Sequence, residues 1–446
     1  MNTRTRPLAT LGAGLTAALL LAACGQSEDA ATPAASTTPE PAATSAESAS
    51  LKPRLVLTYD GGIQVLDATT LEPVADLELD GFNRVNPAGD GRHVMVSTAG
   101  GFQVLDAGTW EQAHGDHAHY FVAEPRLTDL VYDAETPGHV VVHEGRTALF
   151  DDGTGQVTIV DSADIADPDT ERRAFTTPQA HHGVAVELSD GSVVVSEGDE
   201  DTRTGIRLLA ADGAQTAADD QCPGVHGEAV AADETVVIGC EDGALIVAGG
   251  QITKVTSPDA YGRIGNQAGS EDSPIVLGDY KSDPDADLER PTRVSLIDTR
   301  TAELTLVDLP SSYTFRSLAR GDDGEALVLG TDGNLHVIDP ETGTLVRSMP
   351  VLDAWEEPED WQQPRPAIQV HEGTAYIADP AHDRLLAVDV LTGEVWNTAD
   401  LTVTPNELTV ATGEAASHEA HDEHADEHED HADEHDDHDH DEHEDH

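Results

Sequence analysis

The sequence predicts an all-β fold, a single β-propeller with eight blades favoured and seven as the alternative. Three observations lead there. Strand-like units recur about every 40 residues, the spacing of propeller blades. Helical periodicity is almost absent, while alternating apolar runs are frequent. The two ends of the repeated region also hold complementary parts of one unit.

The repeat is visible in pairs of segments. "GGIQVLDATTLE" at 61–72 is echoed by "GGFQVLDAGTWE" at 100–111, then more loosely by "TRVSLIDTRTA", "GNLHVIDPETG" and "DRLLAVDVLTG". Each reads as an alternating strand followed by a turn led by Asp. Between them lie pairs of apolar strands joined by Asp/Gly turns, such as "GVAVELSDGSVVVS". Innermost strands are expected to begin near Arg84, Glu124, Gly183, Val225, Ile264, Arg316, Ala367 and Glu407. The first unit, "RLVLTYDGGIQVLD", lacks an inner strand of its own, and "NELTVAT" has no unit after it. Joined, the two ends would complete one blade and leave the ring without an open edge. The likeness to quinoprotein-like propellers extends over most of the chain, at the level of architecture only.

Outside the ring, composition sets the domain boundaries. Residues 1–23 read as a lipoprotein signal peptide: Arg4 and Arg6 precede a short apolar run ending at "LAAC", which resembles a bacterial lipobox with Cys24 as the lipid-modified residue. Residues 24–50, rich in Ala, Ser, Thr, Pro and Glu, read as a disordered tether. The propeller is expected over 51–412, and 413–446 as a disordered metal-binding tail. The expected location is extracytoplasmic, with a lipid anchor in the cell membrane, and the expected state is a monomer. In an oxidising compartment the remaining cysteines, Cys222 and Cys240, are expected to form a disulfide.

Charge excludes one class of partner. The 23 Lys and Arg against 86 Asp and Glu give a net charge of −63. Nucleic acid binding needs a basic face to neutralise phosphates, so no nucleic-acid partner is expected.

Two groups of histidines point to metal. The tail carries His418, His421, His424, His428, His431, His435, His438, His440, His443 and His446 among sixteen acidic residues. Such a tail offers many interchangeable sites, so it reads as a collector of loosely held ions. The second group lies at what should be one mouth of the propeller. "HGDHAHYFVAEPRL" places His117 and His119, with His114 beside them, before one expected inner strand. "PQAHHGVAVEL" places His181 and His182 before the next, and "CPGVHGEAVA" places His226 at the start of a third. Asp242, in "EDG", is a candidate oxygen ligand or supporting group near the same place. Three or four neutral imidazoles suit zinc best. His93, His139, His143, His336, His371 and His382 read as scattered surface or strand residues.

The export signal, the propeller, "DHAHYF", "HHGVAV" and "CPGVHGEA…GC" together resemble the AztD-type zinc metallochaperones. The resemblance implies a secreted propeller that holds zinc and hands it to the substrate-binding protein of a zinc ABC transporter, without enzymatic activity. Carried over residue by residue, the family's metal-binding histidines fall on His117, His119, His182 and His226, with His181 and Asp242 as further candidates. The lipid anchor and the long tail are features the family need not share. The competing expectations are a quinoprotein-like oxidoreductase and an extracytoplasmic interaction scaffold with a metal-buffering tail. "DYKSDPDADLERP" lacks the offsets of an EF-hand and reads as a solvated insertion. "DAWEEPEDWQQPRP" reads as a Pro-broken loop whose Trp residues pack at a blade edge.

Overall fold

The computed structural model describes residues 44–115 and 117–415. The signal peptide, Cys24, most of the tether and the ten tail histidines lie outside the described residues. Among those described, strands dominate and the one helical turn is Ser162–Asp164.

Eight sheets built on four antiparallel strands follow one another along the chain, one of them with Gly262–Arg263 added in parallel. Their first strands are, in order, Leu408–Ala411, Arg84–Pro87, Pro137–His143, Ala185–Glu187, His226–Ala231, Gln267–Ala268, Leu318–Arg320 and Ala367–His371. Leu408–Ala411 pairs antiparallel with Arg54–Tyr59, so the last strand completes the first blade. It also lies between Ala367–His371 and Arg84–Pro87, which closes the circle. The eight-bladed expectation therefore holds.

The core is divided among the interfaces between blades. Leu55, Leu57 and Leu66 of the first blade pack against Ala378 and Leu385 of the last. Val184, Val186 and Val194 pack against Val236, Ile238 and Leu245 of the next sheet. Each blade thus presents two apolar faces, one to each neighbour, which explains its near-continuous apolar strands.

The repeated Asp has a local cause. Asp67 Oδ1 accepts from the backbone N–H of Thr69 at 3.0 Å and of Thr70 at 2.9 Å. Asp298, Asp339 and Asp389 accept from turn amides in the same way. The residue four places after each Asp takes a positive φ: Gly343 at 64° and Gly393 at 74°, but Leu71 at 58° and Ala302 at 57°. A non-Gly residue there is strained, so the Asp side chain and closing backbone bond must hold the turn.

Two expectations are corrected. Glu124 does not precede an innermost strand. Arg126–Asp133 is the outermost strand of the second blade, paired with Gly101–Asp106. The innermost strand of the third blade is instead Pro137–His143. The cause is a hairpin, Thr109–His114 and His117–Val122, inserted between the third and fourth strands of the second blade. The second correction concerns Ala46–Ser48, expected in the tether, which pair antiparallel with Tyr120–Val122 on that hairpin. The hairpin's free edge supplies backbone partners whatever the side chains.

Candidate metal centre

In a propeller the starts of successive innermost strands collect at one mouth. Three consecutive blades place a histidine there: His139 in Pro137–His143, His182 just before Ala185–Glu187, and His226 opening His226–Ala231. One ring nitrogen of each lies within 4.8 Å of those of the other two. His182 Nε2 and His226 Nε2 approach to 3.0 Å.

The other ring nitrogens face outward to acceptors. His182 Nδ1 lies 2.5 Å from Asp152 Oδ2, and His226 Nδ1 lies 2.5 Å from the Gly265 carbonyl. His139 Nδ1 lies 3.0 Å from Glu228 Oε2. A carbonyl can only accept, so His226 carries its proton on Nδ1 and presents a bare Nε2 to the cluster. Carboxylates at Nδ1 favour the same tautomer in His182 and His139. This is the arrangement that orients imidazoles on a metal and makes them better donors. Glycines make room for it. A Cβ at Gly138 would strike the Asp152 carboxylate, and one at Gly227, where φ is 74°, would strike the Gly265 carbonyl.

The electrostatics divide the three rings. Burial pushes the His226 pKa well below its ordinary value, and the neighbouring rings His139 and His182 push it further. At His139 burial also opposes protonation, but the Glu228 charge and hydrogen bond outweigh it and raise the pKa. Protonation in the metal-free mouth is therefore favoured at His139 over His226. Three neutral nitrogens with an open side fit a tetrahedral zinc ion whose fourth position is left for an outside group.

The predicted site residues divide three ways. His182 and His226 converge as expected, and His139, set aside in the sequence, is their third partner. His117 and His119 do not join them. They sit with His114 on the inserted hairpin, where His119 Nδ1 is 2.8 Å from Glu47 Oε1 and His114 Nδ1 is 3.3 Å from His119 Nε2. His114, His117 and His119 form a second, more exposed group that could hold a metal. His181 is no ligand here. It is 2 % exposed, donates from Nδ1 to the Gln179 carbonyl at 3.0 Å, and places Nε2 2.9 Å from Ser196 Oγ. Burial lowers its pKa, as suits a neutral core histidine. Asp242 also stands apart, with its carboxylate 2.5 Å from Lys254 Nζ. Cys222 and Cys240 form the expected disulfide, buried in the core behind the His226 strand.

The missed residue had a signal. In "PGHVVV", "HHGVAV" and "PGVHGEAV" a histidine touches a glycine just before or within a short strand. The structure gives that glycine its reason at all three places, since a Cβ at Gly183 would strike the Phe150 ring.

No family model matches the chain. The zinc chaperone AztD of Citrobacter koseri is 25 % identical over 379 residues, spanning 80 % of this chain and 87 % of that protein. The crystal structure of Citrobacter koseri AztD superposes with a TM-score of 0.71 at 24 % identity, covering 81 % of this chain and 98 % of that one. Apo AztD from the same organism gives 0.69 at 23 % identity with the same coverage. The dihydro-heme d1 dehydrogenase NirN reaches 0.53 at 13 % identity, covering 81 % of this chain and 75 % of that one, and shows a shared fold alone. The chain is thus AztD-like in sequence and in fold, a resemblance to a chaperone rather than to an enzyme.

Proposed function

We propose that the chain is a non-enzymatic zinc chaperone, lipid-anchored outside the cell membrane. It holds one zinc ion on His139, His182 and His226 and passes it to the substrate-binding protein of a zinc ABC transporter. The observation that carries this reading is the convergence of three imidazoles, of which His182 and His226 have their outer nitrogens committed to Asp152 and the Gly265 carbonyl and His139 has Glu228 at ion-pair distance. Three protein ligands and an open fourth position suit cargo, because a recipient's ligand can enter before the ion leaves. The name of the Citrobacter relative supports zinc as that cargo.

The exposed hairpin group, His114, His117 and His119, serves as a second and looser site in this reading. The chain leaves the ring beside it: Glu111, on the same hairpin, accepts from Ala415 N–H and donates its own N–H to the Gly413 carbonyl. The tail then begins next to an exposed histidine cluster, an order that suits ions moving from collector to ring.

The reading is tested by transfer. Residues 44–415 loaded with one equivalent of zinc are mixed with the transporter's substrate-binding protein and an excess of chelator. Direct transfer delivers zinc to the recipient before the chelator captures it. If the chelator takes all of the zinc at the rate of spontaneous release, the chaperone reading fails.

Two further outcomes are expected. Cys24→Ala should move the protein from the membrane fraction to the soluble fraction; retention at the wild-type level would refute the lipid anchor. Zinc affinity at the mouth should fall as pH drops through the raised pKa of His139, because proton and metal compete for the same ring. Glu228→Gln removes the charge that raises it, so the acid limb should move to lower pH. Affinity at high pH should also drop by roughly 10- to 100-fold, the usual cost of losing an orienting partner. An unshifted limb would show that another group sets the pH dependence.

A further inference from the structure

The mouth opens into a cavity of about 530 Å³ whose lining includes Arg84, Arg263 and Lys281, with the amides of Asn86, Asn266 and Gln267. Cations are scarce in this chain, 23 against 86 acids, and Lys281 is one of its three lysines. Finding three cations around a metal-binding pocket runs against both composition and Coulomb's law, since each repels the incoming ion.

The placement is built into the backbone. Arg263 and Lys281 are directly opposed across an antiparallel bridge, with N–H···O distances of 2.8 and 2.9 Å in the two directions. Like charges opposed in this way destabilise a sheet. The acids nearby offset them only in part: Asp279 lines the same cavity and its charge acts on Lys281 and Arg263. Glu228 lies against His139, and Asp279 Oδ1 accepts the backbone N–H groups of Gly265 and Asn266. Arg263 has Glu241 at 3.6 Å, and Arg84 has Glu407 at 3.6 Å, a carboxylate held more closely by Arg316 at 2.6 Å. Among the described residues Lys281 has no carboxylate within ion-pair distance. Gln267 adds a second sign: both its amide atoms are buried without a hydrogen-bond partner. Native structures rarely leave such groups unmet.

We infer that this cavity binds a carboxylate, which completes the metal's coordination and neutralises Arg84, Arg263 and Lys281. The inference rests on the three-histidine metal reading above. A carboxylate oxygen is an ordinary fourth ligand for zinc. Its second oxygen suits a guanidinium fork or an ammonium group. Metal and carboxylate then bind cooperatively, each removing the repulsion the other would meet. The carboxylate comes either from a solute or partner, or from the sixteen Asp and Glu of the chain's last 29 residues.

Cobalt(II) replaces zinc for the test because its visible bands report coordination. Residues 44–415 contain every strand pairing of the ring and serve as the first arm. With one equivalent of cobalt, acetate should shift the bands saturably, while perchlorate at equal ionic strength should not. Acetate at ten times its half-saturating concentration should tighten apparent cobalt affinity about tenfold, the factor that linkage gives. The full chain with less than one equivalent of cobalt is the second arm. Bands already shifted without acetate identify the tail as the source; bands that shift only on adding acetate identify an outside carboxylate. Lys281→Gln and Arg84→Gln should weaken the acetate response, yet bind cobalt slightly more tightly in perchlorate, because a repelling charge is gone. Cobalt bound at the mouth with no acetate effect in the first arm, or an acetate response unchanged in both variants, overturns the inference. Failure of cobalt to bind the mouth at all would overturn the three-histidine reading instead.

Discussion

Residues 44–415 should hold one tight zinc ion, and changing His139, His182 and His226 together to Ala should abolish it. Each ring has one nitrogen in the cluster; the other is held by a fixed acceptor in His182 and His226 and faces Glu228 at 3.0 Å in His139. Little conformational freedom is lost on binding, since these residues sit on a closed ring of paired strands. The tail would have to be ordered, and its charges gathered, around each ion. In a competition titration against a zinc chelator the full chain should show several weak equivalents and a tight one. Ending the chain at Ala415 should remove most of the weak equivalents and keep the tight one. Changing His117 and His119 to Ala should remove the hairpin's contribution and again leave the tight ion. Asp152→Asn keeps the three ligands and the fold but weakens the Nδ1 contact of His182. It should cost roughly 10- to 100-fold in affinity, and the triple substitution should exceed that. Loss of the tight equivalent on removing the tail alone would place the real site in the tail.

Reduction of the Cys222–Cys240 disulfide should destabilise the propeller by about 3 kcal/mol, the chain-entropy estimate for a loop of this length. It should also weaken zinc at the mouth. The bond joins the segment entering the His226 strand to the end of the strand paired against it. Its backbone neighbours reach the site: Cys222 N–H donates to the Thr204 carbonyl, and the Cys240 carbonyl accepts from Ile264 N–H. Ile264 precedes Gly265, whose carbonyl holds His226. Cutting the bond therefore loosens both the His226 strand and the acceptor that sets its tautomer. Denaturant unfolding of oxidised and reduced protein, with zinc affinity measured on each, tests both effects. Thiol counting on denatured, unreduced protein should find no free thiol from this pair. Equal midpoints and equal affinities would show that the bond braces nothing.

Much of the ring was legible because blade closure and turn chemistry leave marks in a single sequence. The Asp-led turns follow from side-chain capping of their own amides, and seven of the expected inner-strand starts lie near observed ones. Glu124 failed for a physical reason. The hairpin carrying His114, His117 and His119 alternates like any strand pair, and periodicity cannot say whether it joins a blade or stands outside it. That one slip carried the site with it. Counting the hairpin as part of the ring drew His117 and His119 to the mouth and left His139 inside what read as an ordinary apolar strand. His181 shows the opposite limit. It adjoins His182 in sequence, but only the fold shows that Ser196 and the Gln179 carbonyl occupy both its nitrogens. Asp242 was drawn to the mouth by the place of "EDG" after the strand that returns against the His226 strand, whereas Lys254 takes its carboxylate. The AztD-like motifs marked two of the three segments that meet at the mouth, and "PGHVVV", which carries His139, was not among them.

The first zinc ion should go to the mouth. Crystals of the protein loaded with one equivalent of zinc, measured on both sides of the zinc absorption edge, locate it directly by anomalous difference. The expected result is one strong peak bonded to ring nitrogens of His139, His182 and His226, at about 2.0–2.1 Å from each. A first peak at His114, His117 and His119, or in the tail with the mouth empty, would contradict the account.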